Sequence, residues 1–98
     1  MYAKISTTAA GQSELVAAVS GSRIRVMGFM LNAASAATAK FQSANTDKTG
    51  AMSFAANSTI AAPLWDGDGH FETEQSEALN LNTSVGIQFS GYLVYRLV

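Results

Sequence analysis

The sequence predicts a single-domain, all-β protein built as an antiparallel β-sandwich. Clusters rich in Gly, Asn, Asp and Ser recur along the chain, and the segments between them are strand-length. Many short strands at such spacing are typical of a sandwich or a barrel. Several of these segments also alternate apolar and polar residues with a period of two, as half-buried strands do. No change of composition marks a linker, so residues 1–98 are expected to form one domain.

The first strand-length segments are short and rich in alanine. Leu15, Ala17 and Val19 alternate and would share one face of a strand. Alanine is the best helix former, so a helical turn is an alternative for residues 14–19 and 33–39. Neither segment shows a 3.6-residue apolar stripe, which favours strand or loop.

Residues 23–33 form a longer segment in which the apolar side changes. Ile24 and Val26 face opposite to Arg23 and Arg25. The apolar residues on the arginine side are Met27, Phe29 and Leu31. A bulge around Gly28 could turn these side chains back to the core, or a regular strand could present them to a partner. Both alternatives keep the segment a strand.

Two central segments alternate more simply. Residues 37–42 place Ala37, Ala39 and Phe41 on one face and polar side chains on the other. In residues 79–82, Leu79 and Leu81 alternate with asparagines. Each segment is therefore predicted to be a strand with one face in the core.

The last segment, residues 85–98, is predicted to be a long strand that becomes apolar on both faces. One face carries Val85, Ile87, Phe89, Gly91, Leu93, Tyr95 and Leu97. The other carries Gly86, Gln88, Ser90, Tyr92, Val94, Arg96 and Val98. One covering layer can bury only one of these sets, and 98 residues leave little material for a second cover. Another copy of the chain is therefore expected to hide the remainder.

Composition favours a protein that is covered by partners. The chain is 48% hydrophobic and 13% charged, about half the usual charged share. The net charge is −1 and the six basic residues are scattered, which argues against nucleic-acid binding. Cysteine is absent, so disulfides and zinc–thiolate sites are excluded. Neither a signal peptide nor a membrane span is predicted.

The best candidate for metal binding is the segment Asp66, Asp68, His70 and Glu77. Oxygen ligands at the first, third and twelfth positions resemble a calcium-binding EF-hand loop. However, His70 replaces the third oxygen ligand, Phe71 takes the glycine position, and flanking helices are not evident. A polar surface loop is the simpler interpretation, so no metal or other cofactor is predicted.

The sequence does not predict an enzyme. His70 is the only histidine, and no Gly-x-Ser-x-Gly elbow accompanies it. Glu72 and Glu74 would share one face of a strand, which fits a solvated rim better than a glycosidase pair. Trp65 has three interpretations, namely a ring that closes the core, a protein contact, or a platform for a sugar.

Four segments together resemble the small virion proteins of tailed bacteriophages, in particular the capsid decoration (cement) proteins. The segments are residues 22–29, 51–57, 71–82 and 91–95. The resemblance implies a jelly-roll-like β-sandwich, a homotrimer, and binding to the major capsid protein on the outside of the head. It places the protein in the virion, on the capsid surface, after synthesis in the host cytoplasm. A carbohydrate- or receptor-binding module of a phage tail or fibre is the alternative.

These considerations divide the apolar residues into two expected groups. The predicted core comprises Ile24, Val26, Phe41, Leu81, Ile87, Phe89 and Leu93. The candidates for subunit or capsid contacts are Met27, Phe29, Leu31, Trp65, Tyr92 and Val94.

Overall fold

A computed structural model describes residues 1–65 and 67–98. This part of the chain contains ten β-strands and no helix, so no helix in it could span a membrane. The strands are β1 (Tyr2–Thr7), β2 (Gly11–Val16), β3 (Ile24–Ala33), β4 (Ala37–Ser43), β5 (Thr46–Asp47), β6 (Met52–Phe54), β7 (Ser58–Ala62), β8 (Phe71–Glu72), β9 (Leu79–Thr83) and β10 (Phe89–Leu97). The predicted all-β class is confirmed.

The strands form two antiparallel sheets. The first sheet has the order β1-β10-β3-β7, with β8 also paired to β3. The second sheet has the order β2-β9-β4-β5, with β6 also paired to β4. Apart from the two-residue strands β5 and β8, each strand along the chain lies in the sheet opposite to the strand before it, except that β6 follows β4 within the second sheet. These eight strands, in the orders β1-β10-β3-β7 and β2-β9-β4-β6, form a jelly-roll-like sandwich.

The core lies between the inner faces of the two sheets. Of the seven residues predicted to form it, all but Ile87 are fully buried, and Ile87 packs at the margin. Phe41 contacts Phe29 edge-on, with ring centroids 5.0 Å apart. Phe54 and Phe89 pack similarly at 5.4 Å. The two sheets are therefore joined by interlocking aromatic rings.

A bulge in β3 explains why its apolar side changes. Val94 pairs with Gly28 but the next residue, Tyr95, pairs with Val26, so Met27 is the extra residue. One inserted residue changes the side of the sheet to which all the following side chains point. Both halves of β3 can therefore turn their apolar side chains toward the core. Leu31 is fully buried, so the prediction that it forms a subunit contact is wrong, and Met27 is only 3% exposed. Phe29 packs against the core beside Phe41, leaving only part of its ring exposed.

Three segment boundaries differ from the prediction. The last strand begins at Phe89, because residues 84–88 form bends and loop. β2 ends at Val16 with a register shift, so Ala17 and Val19 are exposed and do not share a buried face with Leu15. Residues 34–36 form a bend between β3 and β4, which leaves no helical turn there.

Candidate protein-binding face

The outward residues of the first sheet form rows that run across its strands. Residues paired in register point to the same side of a sheet. The central rows are Lys4–Tyr92–Met30–Ala61 and Tyr2–Val94–Gly28. Apart from Lys4, every side chain in these rows is apolar or aromatic, on a surface that faces away from the core.

A polar row borders the central rows on each side. Ser6, Ser90, Asn32 and Thr59 form one border. Arg96, Arg25 and Glu72 form the other. An apolar centre between polar borders is the arrangement found in protein–protein interfaces.

Met1 and a loop that contains Leu64 extend the apolar centre. Met1 precedes β1, and Leu64 crosses over Gly28, where an added Cβ would lie 3.2 Å from the Leu64 Cα. The absence of a side chain at Gly28 therefore allows this close crossing. We call the resulting surface the outer stripe, formed by Met1, Tyr2, Met30, Leu64, Tyr92 and Val94. Tyr2 is 73% exposed and Leu64 is 65% exposed, although both are large hydrophobic residues.

A pocket of about 240 Å³ opens in the outer stripe. Its lining residues are Met1, Met27, Leu64, Val94, Tyr95 and Arg96. Pockets for small molecules usually measure about 300–1,000 Å³, so this one suits a single side chain better than a metabolite. The bulge contributes directly, because Met27, the inserted residue, forms part of the lining.

Trp65 is held at the edge of this surface with its ring in solvent. Its backbone N–H donates a hydrogen bond to the Met27 carbonyl at 2.8 Å. The residue is 58% exposed, and its ring meets the His70 ring edge-on, with centroids 6.3 Å apart. Nε2 of His70 lies 2.7 Å from the Pro63 carbonyl oxygen. Closure of the core by Trp65 is therefore wrong, and a protein contact or a sugar platform remains a prediction.

The outer face of the second sheet has the opposite character. Gln12 donates to the Gln42 side chain at 3.0 Å, and Asn82 donates to the same oxygen at 3.2 Å. Gln42 in turn donates to Asp47 at 2.7 Å, and Lys40 pairs with Asp47 at 3.0 Å. These two interactions hold the pKa of the Asp47 carboxyl below its ordinary value, with the Gln42 hydrogen bond as the larger cause. This face is occupied by its own hydrogen bonds, so the two outer faces are chemically distinct.

Most of the edge strands carry features that discourage strand addition. β1 carries Lys4, β2 carries a register shift at residues 14–16, and Pro63 follows β7. β5 and β6 have only two and three residues. Lysine, bulges, proline and short length are the features by which native sheets avoid edge-to-edge pairing. A partner is therefore expected on the outer face of the first sheet rather than along an edge.

The acidic residues considered for catalysis lie in ion pairs. Glu72 pairs with Arg25 at 3.0 Å, and Glu74 pairs with Lys48 at 2.8 Å. The hydrogen bond and the charge of Lys48 lower the pKa of Glu74, and Arg23 adds a smaller effect. A general acid of a glycosidase needs a raised pKa, so this environment favours a structural role for Glu74.

The candidate metal loop is not assembled in the described part of the chain. Asp66 lies outside the described residues. Glu77 accepts a hydrogen bond from the Ser43 hydroxyl, and His70 is turned toward the Pro63 carbonyl. Residues 1–65 and 67–98 hold no group of three His, Asp or Glu side chains placed to bind a metal ion.

The chain matches no protein-family model, no curated protein and no solved structure. Among the sites predicted from the sequence, the structure brings Tyr92 and Val94 together on the outer stripe and places Trp65 at its border. It adds Met1, Tyr2, Met30 and Leu64, which the sequence reasoning missed. Alternation within β1 could have identified Tyr2, because Tyr2 and Lys4 lie opposite Ala3 and Ile5.

Proposed function

We propose that this chain is a non-enzymatic structural protein of a phage virion, a capsid decoration protein that binds the outside of the head. It would associate with copies of itself as a homotrimer and with the major capsid protein. The outer stripe is the observation that supports this proposal, because it is an apolar surface with polar borders on a domain whose core is already complete. The phage assignment itself is supported by the sequence resemblance.

The geometry suits such a role physically. A rigid sandwich can present one broad face without changing its own fold, so little ordering entropy opposes binding. A ligand that binds the assembled shell and not its separated subunits stabilises the shell by mass action. Repeating one contact around a symmetry axis multiplies a modest interaction. None of these steps needs a reactive side chain.

Co-sedimentation with heads tests this proposal. Labelled protein is mixed with heads assembled from the major capsid protein of the same genome, and binding to the pelleted shell is measured. Tyr92→Lys, in the outer stripe, is expected to abolish binding. Val85→Lys, an exposed valine in the 84–88 loop, is the matched control and is expected to bind normally. Wild-type protein that stays in the supernatant at all concentrations would contradict the proposal.

Exposure of Trp65 favours a carbohydrate- or receptor-binding module of a phage tail or fibre as a second candidate function. The indole ring of a tryptophan that is 58% exposed can stack on the apolar face of a sugar. On a glycan array this function predicts binding that Trp65→Ala removes and Val85→Ala leaves unchanged. An array without any bound glycan would count against it.

A further inference from the structure

We infer that the Trp65 ring of one copy fills the pocket of the outer stripe on a neighbouring copy. The inference rests on the self-association contained in the proposed function and identifies the contact that would produce it. It assigns Trp65 as the inserted side chain, and Val94 and Met27 as part of the receiving surface.

The pocket has the size and lining expected for one inserted side chain. Its volume is about 240 Å³, and its lining combines two methionines, a leucine, a valine and a tyrosine with Arg96. Methionine side chains adapt their shape and make favourable sulfur contacts with aromatic rings. An arginine beside the opening can also lie against an aromatic face. The lining therefore favours an aromatic occupant over a charged one.

Trp65 has the properties of such an occupant. The hydrogen bond from its backbone N–H to the Met27 carbonyl holds the backbone, while the residue remains 58% exposed. Holding a large ring in water is unfavourable, and tryptophan is among the residues most enriched at interface hot spots. A fixed backbone also means that little conformational freedom is lost when the ring inserts.

A second copy is the occupant because ring and pocket lie on one molecule, one residue apart in sequence. Leu64 lines the pocket and Trp65 follows it directly. The ring of each copy is left in solvent by its own fold, so a neighbouring copy can supply it to the pocket. One repeated contact then buries both the Trp65 side chain and the pocket. In a closed cyclic oligomer, every Trp65 and every pocket has a partner.

The exposed area is adequate for such a contact. Tyr2, Tyr92 and Trp65 are 73%, 43% and 58% exposed. At about 200 Å² per ring they leave roughly 350 Å² of aromatic surface uncovered. Met1, Met30 and Leu64 add further apolar surface, at 65%, 39% and 65% exposure. Together these side chains provide much of the roughly 800 Å² per partner that a stable interface buries.

The fluorescence of wild-type protein tests this inference directly, because the chain has one tryptophan. Dilution from about 100 μM toward nanomolar concentration is expected to shift the emission to longer wavelength and to increase quenching by acrylamide. The transition should coincide with the fall in mass seen by sedimentation. Oligomers in which the emission stays that of a solvent-exposed ring would overturn the inference, as would a monomer at all concentrations.

Mixing two variants tests the pairing of ring and pocket. Trp65→Ala removes the ring and Val94→Lys places a charge in the pocket, so each variant alone is expected to be monomeric. Their mixture restores one intact contact, between the Trp65 ring of the second variant and the open pocket of the first. A mixed dimer is therefore expected, whereas a mixture that stays monomeric would overturn the inference. Circular dichroism and thermal melting check that each variant is folded, and Val85→Ala should retain the wild-type mass.

The two proposals fail in different experiments. Protein that binds heads but whose mass is unchanged by Trp65→Ala would refute the ring contact and leave the decoration role standing. Protein that oligomerises through Trp65 but never pellets with heads would refute the decoration role and leave the contact standing.

Discussion

Tyr92→Ser should weaken association without unfolding the protein. Tyr92 points outward from β10 between Lys4 and Met30, while its neighbour Leu93 is fully buried in the core. Tyr92 is 43% exposed, which corresponds to about 90 Å² at roughly 200 Å² per aromatic residue. At about 25 cal/mol per Å², burying this area contributes about 2 kcal/mol, so the variant should associate roughly thirtyfold more weakly.

Leu93→Ala is the matched comparison on the same strand. Truncation of a fully buried leucine should lower the free energy of unfolding by about 2–5 kcal/mol. Sedimentation equilibrium measures the association constants, and urea unfolding at a concentration where the protein is monomeric measures the stabilities. An association constant that Tyr92→Ser leaves unchanged would refute the assignment of the outward face. A loss of stability as large as that of Leu93→Ala would show that Tyr92 belongs to the core.

Three further predictions follow from the fold. Gly91→Ala should destabilise the protein by more than about 3 kcal/mol in urea unfolding, because φ is 144° and the new Cβ would collide with the Met30 carbonyl; Gly50→Ala, in open space, is the control. Phe41→Ala should cost about 3–5 kcal/mol, because its ring is fully buried between two other phenylalanines, and a smaller loss would contradict the assigned core. In the folded protein the pKa of the Glu74 carboxyl is lowered from its ordinary value of 4.5. The ionised carboxylate therefore contributes its full stabilisation above that pH, and this stabilisation is lost as the pH falls through the folded-state pKa. The melting temperatures of wild type and Glu74→Gln should therefore differ most above pH 4.5 and converge in acid, and a difference independent of pH would contradict the ion pair.

Alternation of side chains was sufficient to predict the sheet class and most of the core. Phe41, Leu81 and Leu93 lie on strands whose period of two is unbroken around them, and they are buried as predicted. For such residues the local sequence pattern determines which side chains point to the core, because a shift of the strand by one residue would expose all of its apolar side chains.

Prediction failed where the facing depends on a distant strand. In residues 23–33 the apolar residues change from one face of the strand to the other, which either a bulge or a partner surface could explain. Only the pairing of β3 with β10 shows that a bulge is present. Leu31 was therefore predicted to contact a partner when it is fully buried in the core. Alternation could not decide on which side Leu64 and Trp65 lie, because they belong to a loop, and Trp65 therefore kept three interpretations.

Oxidative footprinting of the assembled protein tests the central claim most directly, namely that a partner covers the outer stripe. Hydroxyl radicals modify exposed tyrosine, methionine and aliphatic side chains, and mass spectrometry locates each modification. Between dilute and concentrated protein, Met30 and Tyr92 are expected to become protected, while Val19 and Val85 on other surfaces react equally in both. Equal modification of all four residues at every concentration would contradict the account.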